Sequence, residues 1–258
     1  MHNEQEDQRA PGARAVALCA RAPSPGAPRG PPLTPPPNPT ADAVEGMGEA
    51  DMPSVRAETW RAMEEALRVG KARAIGVSNF TVAHLKRLKL TATVWPPAVH
   101  GGHFGLRGRT TPTQGGGRSS RQVNQVECHP KFPQEELRAY CAQEGIVFQA
   151  YASLGGQDAG KAKWESIGGT LLATPAVLAA AAAHGATAAQ VLLRWALQHG
   201  AAVIPKTSSE ERMRENAACL GFSLSADELA AIDELAQGRG EDGRLCWRAD
   251  PLRMLGFE

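Results

Sequence analysis

Hydrophobic positions recur at helical spacing along 54–70, where Trp60, Met63 and Leu67 share a face, and along 81–89, where Val82, Leu85 and Leu88 do the same. Between them Ala74-Ile75-Gly76-Val77 is a short apolar run of the kind a buried strand shows. The alternation resumes with a strand at Val123 to Glu127, a helix at 134–144 and a strand at Ile146 to Ala150. Two helical stretches follow, about 171–184 and 187–199, and then a strand at Ala201 to Ile204. Thr187 with Gln190, Ser208 with Glu211 and Ser225 with Glu228 have capping-box spacing and predict helix starts. Four strands separated by helices predict parallel βα units, with each strand short and apolar as expected when both faces are covered. The pattern fits either a small doubly wound sheet or part of a (β/α)8 barrel. Too few patterned residues remain for the roughly 250 of a complete barrel.

Two segments break the alternation. Ten of the chain's prolines lie in the first 39 residues, and Pro23 to Pro39 cannot sustain a helix or a sheet ladder. Residues 1–52 therefore read as a disordered or polyproline II-like leader, with a Pro-rich docking ligand as the weaker alternative. The stretch from Leu90 to Arg121 contains three consecutive glycines and no apolar period, and reads as a flexible insert within a domain spanning 53–258. Arg107, Arg109, Arg118 and Arg121 raise a nucleic-acid contact, but the aromatic residues of a stacking platform are missing.

Charge narrows the classes further. A formal net charge of +1 over 258 residues gives no basis for binding a polyanion. No stretch approaches the roughly 18 apolar residues of a membrane span. The apolar core of the leader, Ala15 to Ala20, is too short for a secretory signal, and Glu4, Glu6 and Asp7 argue against a transit peptide. Cys19, Cys128, Cys141, Cys219 and Cys246 form no metal-type spacing and no disulfide framework, so no metal is expected and a reducing, cytoplasmic setting fits.

Candidate chemistry collects at the strand ends. Ser78 and Asn79 follow the first strand, Gln125 lies in the second, Tyr151 follows the third, and Lys206 and Thr207 follow the fourth. Parallel strands point one way, so these groups should gather on the carboxyl rim, where α/β folds bind ligands. Amides and a hydroxyl suit a carboxamide, and a tyrosine face suits a flat ring. Lys206 and Arg212, beside a helix start, suit a phosphate.

Met63 to Phe80, ending RAIGVSNF, and Ile204 to Asn216, IPKTSSEERMREN, resemble signatures of the aldo-keto reductase family; VNQVECHP (123–130) and QAYASLG (149–155) resemble its intervening strand ends. The resemblance spans about Val55 to Leu235 outside the insert. It implies an α/β fold, here a partial (β/α)8 TIM barrel of about four βα units corresponding to strands 5–8, with NADPH as cofactor. By position, Ser78, Asn79 and Gln125 would hold the nicotinamide carboxamide and Tyr151 would stack on its ring. Leu154 and Gln157 would line the pyrophosphate path. Lys206, Thr207, Ser208 and Arg212 would bind the 2′-phosphate, and Glu215 and Asn216 would meet the adenine. Ala152 stands where the family often has serine. Cys128 reads better as a packing residue than as a redox thiol.

The family's proton-donating tyrosine, with its aspartate, lysine and histidine, comes from the first four units, and none of those motifs is present. Trp95-Pro96-Pro97 mimics one of them, but Val94 occupies the histidine position. The expectation is an NADP-dependent oxidoreductase of aldehydes and ketones in a truncated form with little activity and no catalytic set of its own; the alternative is a non-catalytic NADPH-binding or regulatory protein. A small-molecule carbonyl is the expected substrate. Exposed barrel edges would invite self-association.

Overall fold

The computed structural model describes residues 15–16, 52–95, 122–156 and 169–246. Most of the leader, insert residues 96–121, Gln157 and the tail after Cys246 lie outside them. One sheet organises the described chain, in the order β1 (Ala15–Val16), β2 (Ile75–Ser78), β3 (Gln122–Glu127), β4 (Val147–Tyr151), β5 (Ala202–Val203). The last four run parallel, each pairing with the next in chain order. All four match strands expected from the apolar runs.

The helices supply the second layer: α1 (Met52–Arg68), α2 (Val82–Lys89), α3 (Glu135–Glu144), α4 (Pro175–His184), α5 (Ala188–Gln198), α6 (Glu210–Ala218) and α7 (Ala226–Asp233). Local chemistry fixes their starts. Thr81, Thr187 and Ser225 each cap the N3 amide and are met in return by the N3 side chain. The apolar stretch at 171–184 is divided: a 3-10 turn covers Leu171–Ala173, and the helix begins afresh with Pro175 at its first position. Proline has no N–H to give and its ring presets φ, so it starts a helix better than it continues one.

Three expectations change. Coverage of both strand faces does not hold. Along β4, Phe148 and Ala150 are buried while Val147, Gln149 and Tyr151 are half-buried. The buried face packs with Ile75, Val77 and Val126 against Leu85, Leu88, Leu137, Val191 and Leu192 in one core. Among the described residues, the helices of this core lie on that side. Within the leader, Ala15–Val16 pairs antiparallel with Gly76 and Val77, so the β2 edge has a two-residue partner. A ladder needs only donors and acceptors in register, which a pair of non-proline residues supplies.

Residues 90–95 also belong to the packed chain. Ala92 and Trp95 pack on the core. The buried Glu64 carboxylate accepts from the Thr93 and Val94 amides, both at 2.7 Å, and from Trp60 Nε1 at 2.9 Å. Trp95 Nε1 donates to Glu144 at 2.8 Å, and Gln122 Nε2 donates to the Val94 carbonyl. No single helix among the described residues is long and apolar enough to cross a membrane.

Candidate functional site

Sheet register decides which strand-end residues meet. Ser78 pairs with Gln125 and Gln125 with Gln149, while Glu127 pairs with Tyr151. Side chains alternate across a strand, so Ser78, Gln125, Gln149 and Tyr151 share the half-open face, opposite the helix-packed one. Three parallel strands bring these groups to adjacent positions.

Hydrogen bonds tie the rim together. Ser78 Oγ donates to the Gln125 carbonyl at 2.9 Å, and Gln125 Nε2 donates to Gln149 Oε1 at 2.6 Å. The Tyr151 phenol reaches across the end of β3 and donates to Asn79 Oδ1 at 3.1 Å. Among the described residues this leaves Asn79 Nδ2 and Gln125 Oε1, one donor and one acceptor, which is what a primary carboxamide requires. Burial first, then the charge of Glu127 and the Cys246 thiol, raises the Tyr151 phenol above its ordinary value; Arg244 and the bond to Asn79 oppose this. The phenol is neutral near pH 7.

Backbone strain sits at the same rim. Asn79 has φ 59° and Ala152 has φ 52°. Asparagine tolerates the left-handed region through local hydrogen bonding; alanine does not, so the turn after β4 holds a residue in a conformation that costs energy. Leu154, beyond this turn, is half-buried against the core. Gln157 is outside the described residues.

The fourth strand end leads into α6. Lys206, Ser208 and Arg212 are exposed, and neither cation has an ion-pair partner among the described residues. Ser208 is not the cap. Thr207 Oγ1 accepts from the Ser209 amide at 3.1 Å, and Ser209 Oγ accepts from the Arg212 amide at 3.3 Å, so Ser209 caps α6. The Thr207 turn shifts the helix start by one residue and leaves the Ser208 hydroxyl in solvent. Glu215 and Asn216 are half-buried on the same helix, where the Glu215 carbonyl accepts from Gln190 Nε2 at 2.8 Å.

Other groups resolve differently. Cys128 is fully buried and burial pushes its thiol up to about 12, so it packs rather than reacts. Tyr140 lies on α3, its ring 5.8 Å from Lys86 Nζ. No group of three His, Cys, Asp or Glu among the described residues is arranged to hold a metal ion. A cleft of about 810 Å³, lined by residues including Thr81, Lys131, Gln134, Glu136 and Arg244, shares no residue with the predicted rim set.

The sequence reading missed Gln149, which orients Gln125, and the buried Glu127–His129 pair, 3.0 Å apart. Gln149 could have been found from its two-residue offset from Tyr151, which puts both on one face. The amides that meet the Glu127 carboxyl group lie 118 and 119 residues away and carry no local signal.

A family model described as the Aldo/keto reductase family matches residues 34–237. The chain is 38% identical over 178 residues to the glyoxal reductase of Bacillus subtilis, covering 69% of this chain and 51% of that protein. It is also 38% identical over 183 residues to a probable NAD(P)H-dependent D-xylose reductase of Arthroderma otae, covering 70% and 48%. A third relative, 2,5-diketo-D-gluconic acid reductase B of a Corynebacterium species, is 37% identical over 186 residues, covering 72% and 54%. The crystal structure of Gox0644 in its apoform superposes with a TM-score of 0.57 at 30% identity, covering 77% of this chain and 59% of that one. An aldo/keto reductase from Brucella melitensis does so at 0.53 and 30%, covering 71% and 56%. The chain spans about half the length of the curated relatives it matches.

Proposed function

Because the chain belongs to the aldo/keto reductase family, an α/β TIM-barrel family of oxidoreductases acting on small-molecule carbonyls, we propose that its rim binds NADPH and that β2 to β5 stand for strands 5–8 of such a barrel. The observation that carries the cofactor reading is the pair of exposed cations, Lys206 and Arg212, without an ion-pair partner among the described residues, at the capped start of α6. Two guanidinium or ammonium groups beside a helix N-terminus favour a dianion such as a 2′-phosphate, and NADH offers none. Asn79 and Gln125 complement the carboxamide, and the Tyr151 ring gives the nicotinamide a flat neighbour. Thr207, Ser208, Glu215 and Asn216 line the adenosine end, with Leu154 and Gln157 between.

When bound, NADPH supplies the hydride for an aldehyde or ketone carbon. The carbonyl oxygen then needs a proton. Both tyrosines of the chain are described: Tyr151 donates its hydroxyl proton to Asn79, and Tyr140 sits on α3. A positioned acid contributes about 10² to 10⁴ in rate. We therefore assign this 258-residue chain on its own cofactor binding with little carbonyl reduction. The commitment of Tyr151 to Asn79 also favours a second reading, a non-catalytic NADPH-binding or regulatory protein. The four thiols of the described residues are unbridged, which suits a reducing cytoplasm. The half-open inner face and the short β5 edge invite pairing with a second copy or with further barrel units, which sedimentation would register as a dimer.

The test is a pair of titrations. Lys206→Ala with Arg212→Ala is expected to weaken NADPH by about 100-fold and leave NADH nearly unchanged. Equal weakening of both cofactors would contradict the 2′-phosphate assignment. Brisk turnover of an aromatic aldehyde by the purified chain, lost in Tyr151→Phe, would contradict the low-activity reading.

A further inference from the structure

Glu127 carries a carboxyl group into the protein interior. It is fully buried at the end of β3, in register with Tyr151. A buried carboxylate costs several kcal/mol unless its oxygens are hydrogen-bonded. Here Oε1 accepts from the Leu245 amide at 2.6 Å and the Cys246 amide at 3.1 Å, and Oε2 accepts from the Cys246 amide at 3.0 Å. His129 Nε2, also fully buried, lies 3.0 Å from Oε1. The carboxylate is satisfied by chain that arrives 118 residues later.

Two independent features show that this arriving segment is seated. A Cβ on Gly243 would collide with the Lys131 carbonyl oxygen, so only glycine lets the chain pass there. Lys131 is itself buried, with Nζ donating to the Gly169 carbonyl at 2.7 Å. The segment also reaches the cofactor side of the rim. A Cβ on Gly156 would lie 3.4 Å from Cys246 Sγ, and Cys246 and Arg244 are both close enough to act electrostatically on the Tyr151 phenol.

We propose that Glu127 is a positioning residue: with His129 it pins residues 243–246 as a wall beside Tyr151 and so shapes the nicotinamide end of the site. The proposal rests on the dinucleotide reading above. It separates the two ends of the cofactor, because the Glu127 wall stands by Tyr151 whereas the adenosine end is assigned to α6.

Glu127→Gln keeps the shape but turns an N–H toward an amide that needs an acceptor. Wild type and variant are titrated with NADPH and with 2′-phospho-ADP-ribose, which lacks the nicotinamide, by tryptophan fluorescence. Alkylation of Cys246, half-buried where Cys128, Cys141 and Cys219 are buried, is followed by mass spectrometry. The expected result is a roughly 10-fold loss for NADPH, unchanged affinity for the fragment and faster alkylation of Cys246. Equal loss for both ligands, faster alkylation with unchanged NADPH affinity, or no change in either overturns the proposal. Gly243→Ala displaces the same segment with Glu127 intact and should give the same split, so it carries the test if Glu127→Gln does not fold. A wild-type chain that binds neither ligand refutes the dinucleotide reading, and this proposal with it.

Discussion

The two faces of the same strands do different work. On the helix side, Ile75, Val77, Val126, Phe148 and Ala150 are buried among leucines and valines of α2, α3 and α5. On the other side, one residue along each strand, Ser78, Gln125, Gln149 and Tyr151 remain half-open; the first three are linked by hydrogen bonds and Tyr151 bonds to Asn79. A side-chain period of two lets a single strand hold stability on one face and recognition on the other. The difference teaches where tolerance should lie: the apolar face should answer to volume, the polar face to hydrogen-bond geometry.

The strongest way to break this contrast is a pair of neighbouring substitutions. Phe148→Ala is expected to cost about 3–5 kcal/mol in urea unfolding, and Gln149→Ala, the next residue, about 1 kcal/mol or less. Equal costs would mean that both faces are core.

Next comes Glu64→Ala, which leaves the Trp60 indole and the Thr93 and Val94 amides without their acceptor. A loss of about 2–3 kcal/mol is expected, with NADPH affinity retained, since Glu64 anchors chain on the helix side. Loss of cofactor affinity in a folded variant would blur the division between the faces.

Tyr151→Phe removes only the bond to Asn79. Stability should fall by about 1 kcal/mol, and NADPH affinity by a few-fold because the ring remains; Tyr151→Ala should cost the cofactor far more.

The smallest effect is a pH dependence far from the rim. His199 Nε2 lies 3.0 Å from Asp233, yet burial, aided by Arg138, holds its pKa below the ordinary histidine value. The unfolded chain therefore binds the proton more readily. This contribution is complete above about pH 6.5, the ordinary histidine value, and is lost as pH falls through the folded value. Thermal melts should show stability declining by a fraction of a kcal/mol on acidification, and His199→Gln should flatten that limb without changing NADPH binding.

Much of this was legible in the chain because its causes are local. The apolar runs that became β2 to β5, and the boxes at Thr187 and Ser225, depend on residues three or four positions apart. Ser208 shows the limit of such reasoning: its spacing to Glu211 is that of a box, yet the Thr207 side chain captured the Ser209 amide and moved the cap. Pro175 shows another, since an apolar stretch does not record where one helix turn yields to the next.

The sequence by itself determined the βα alternation, the residues that end each strand and the family they resemble, because periodicity, capping and strand-end chemistry are written within a few residues. Only the tertiary structure decided that one face of the sheet stays half-open, that Gln149 orients Gln125, and that Glu64 and Glu127 each fasten a distant piece of backbone. A buried carboxylate is stable only where amides converge on it. That convergence is a property of how the chain returns on itself, so no local pattern encodes it.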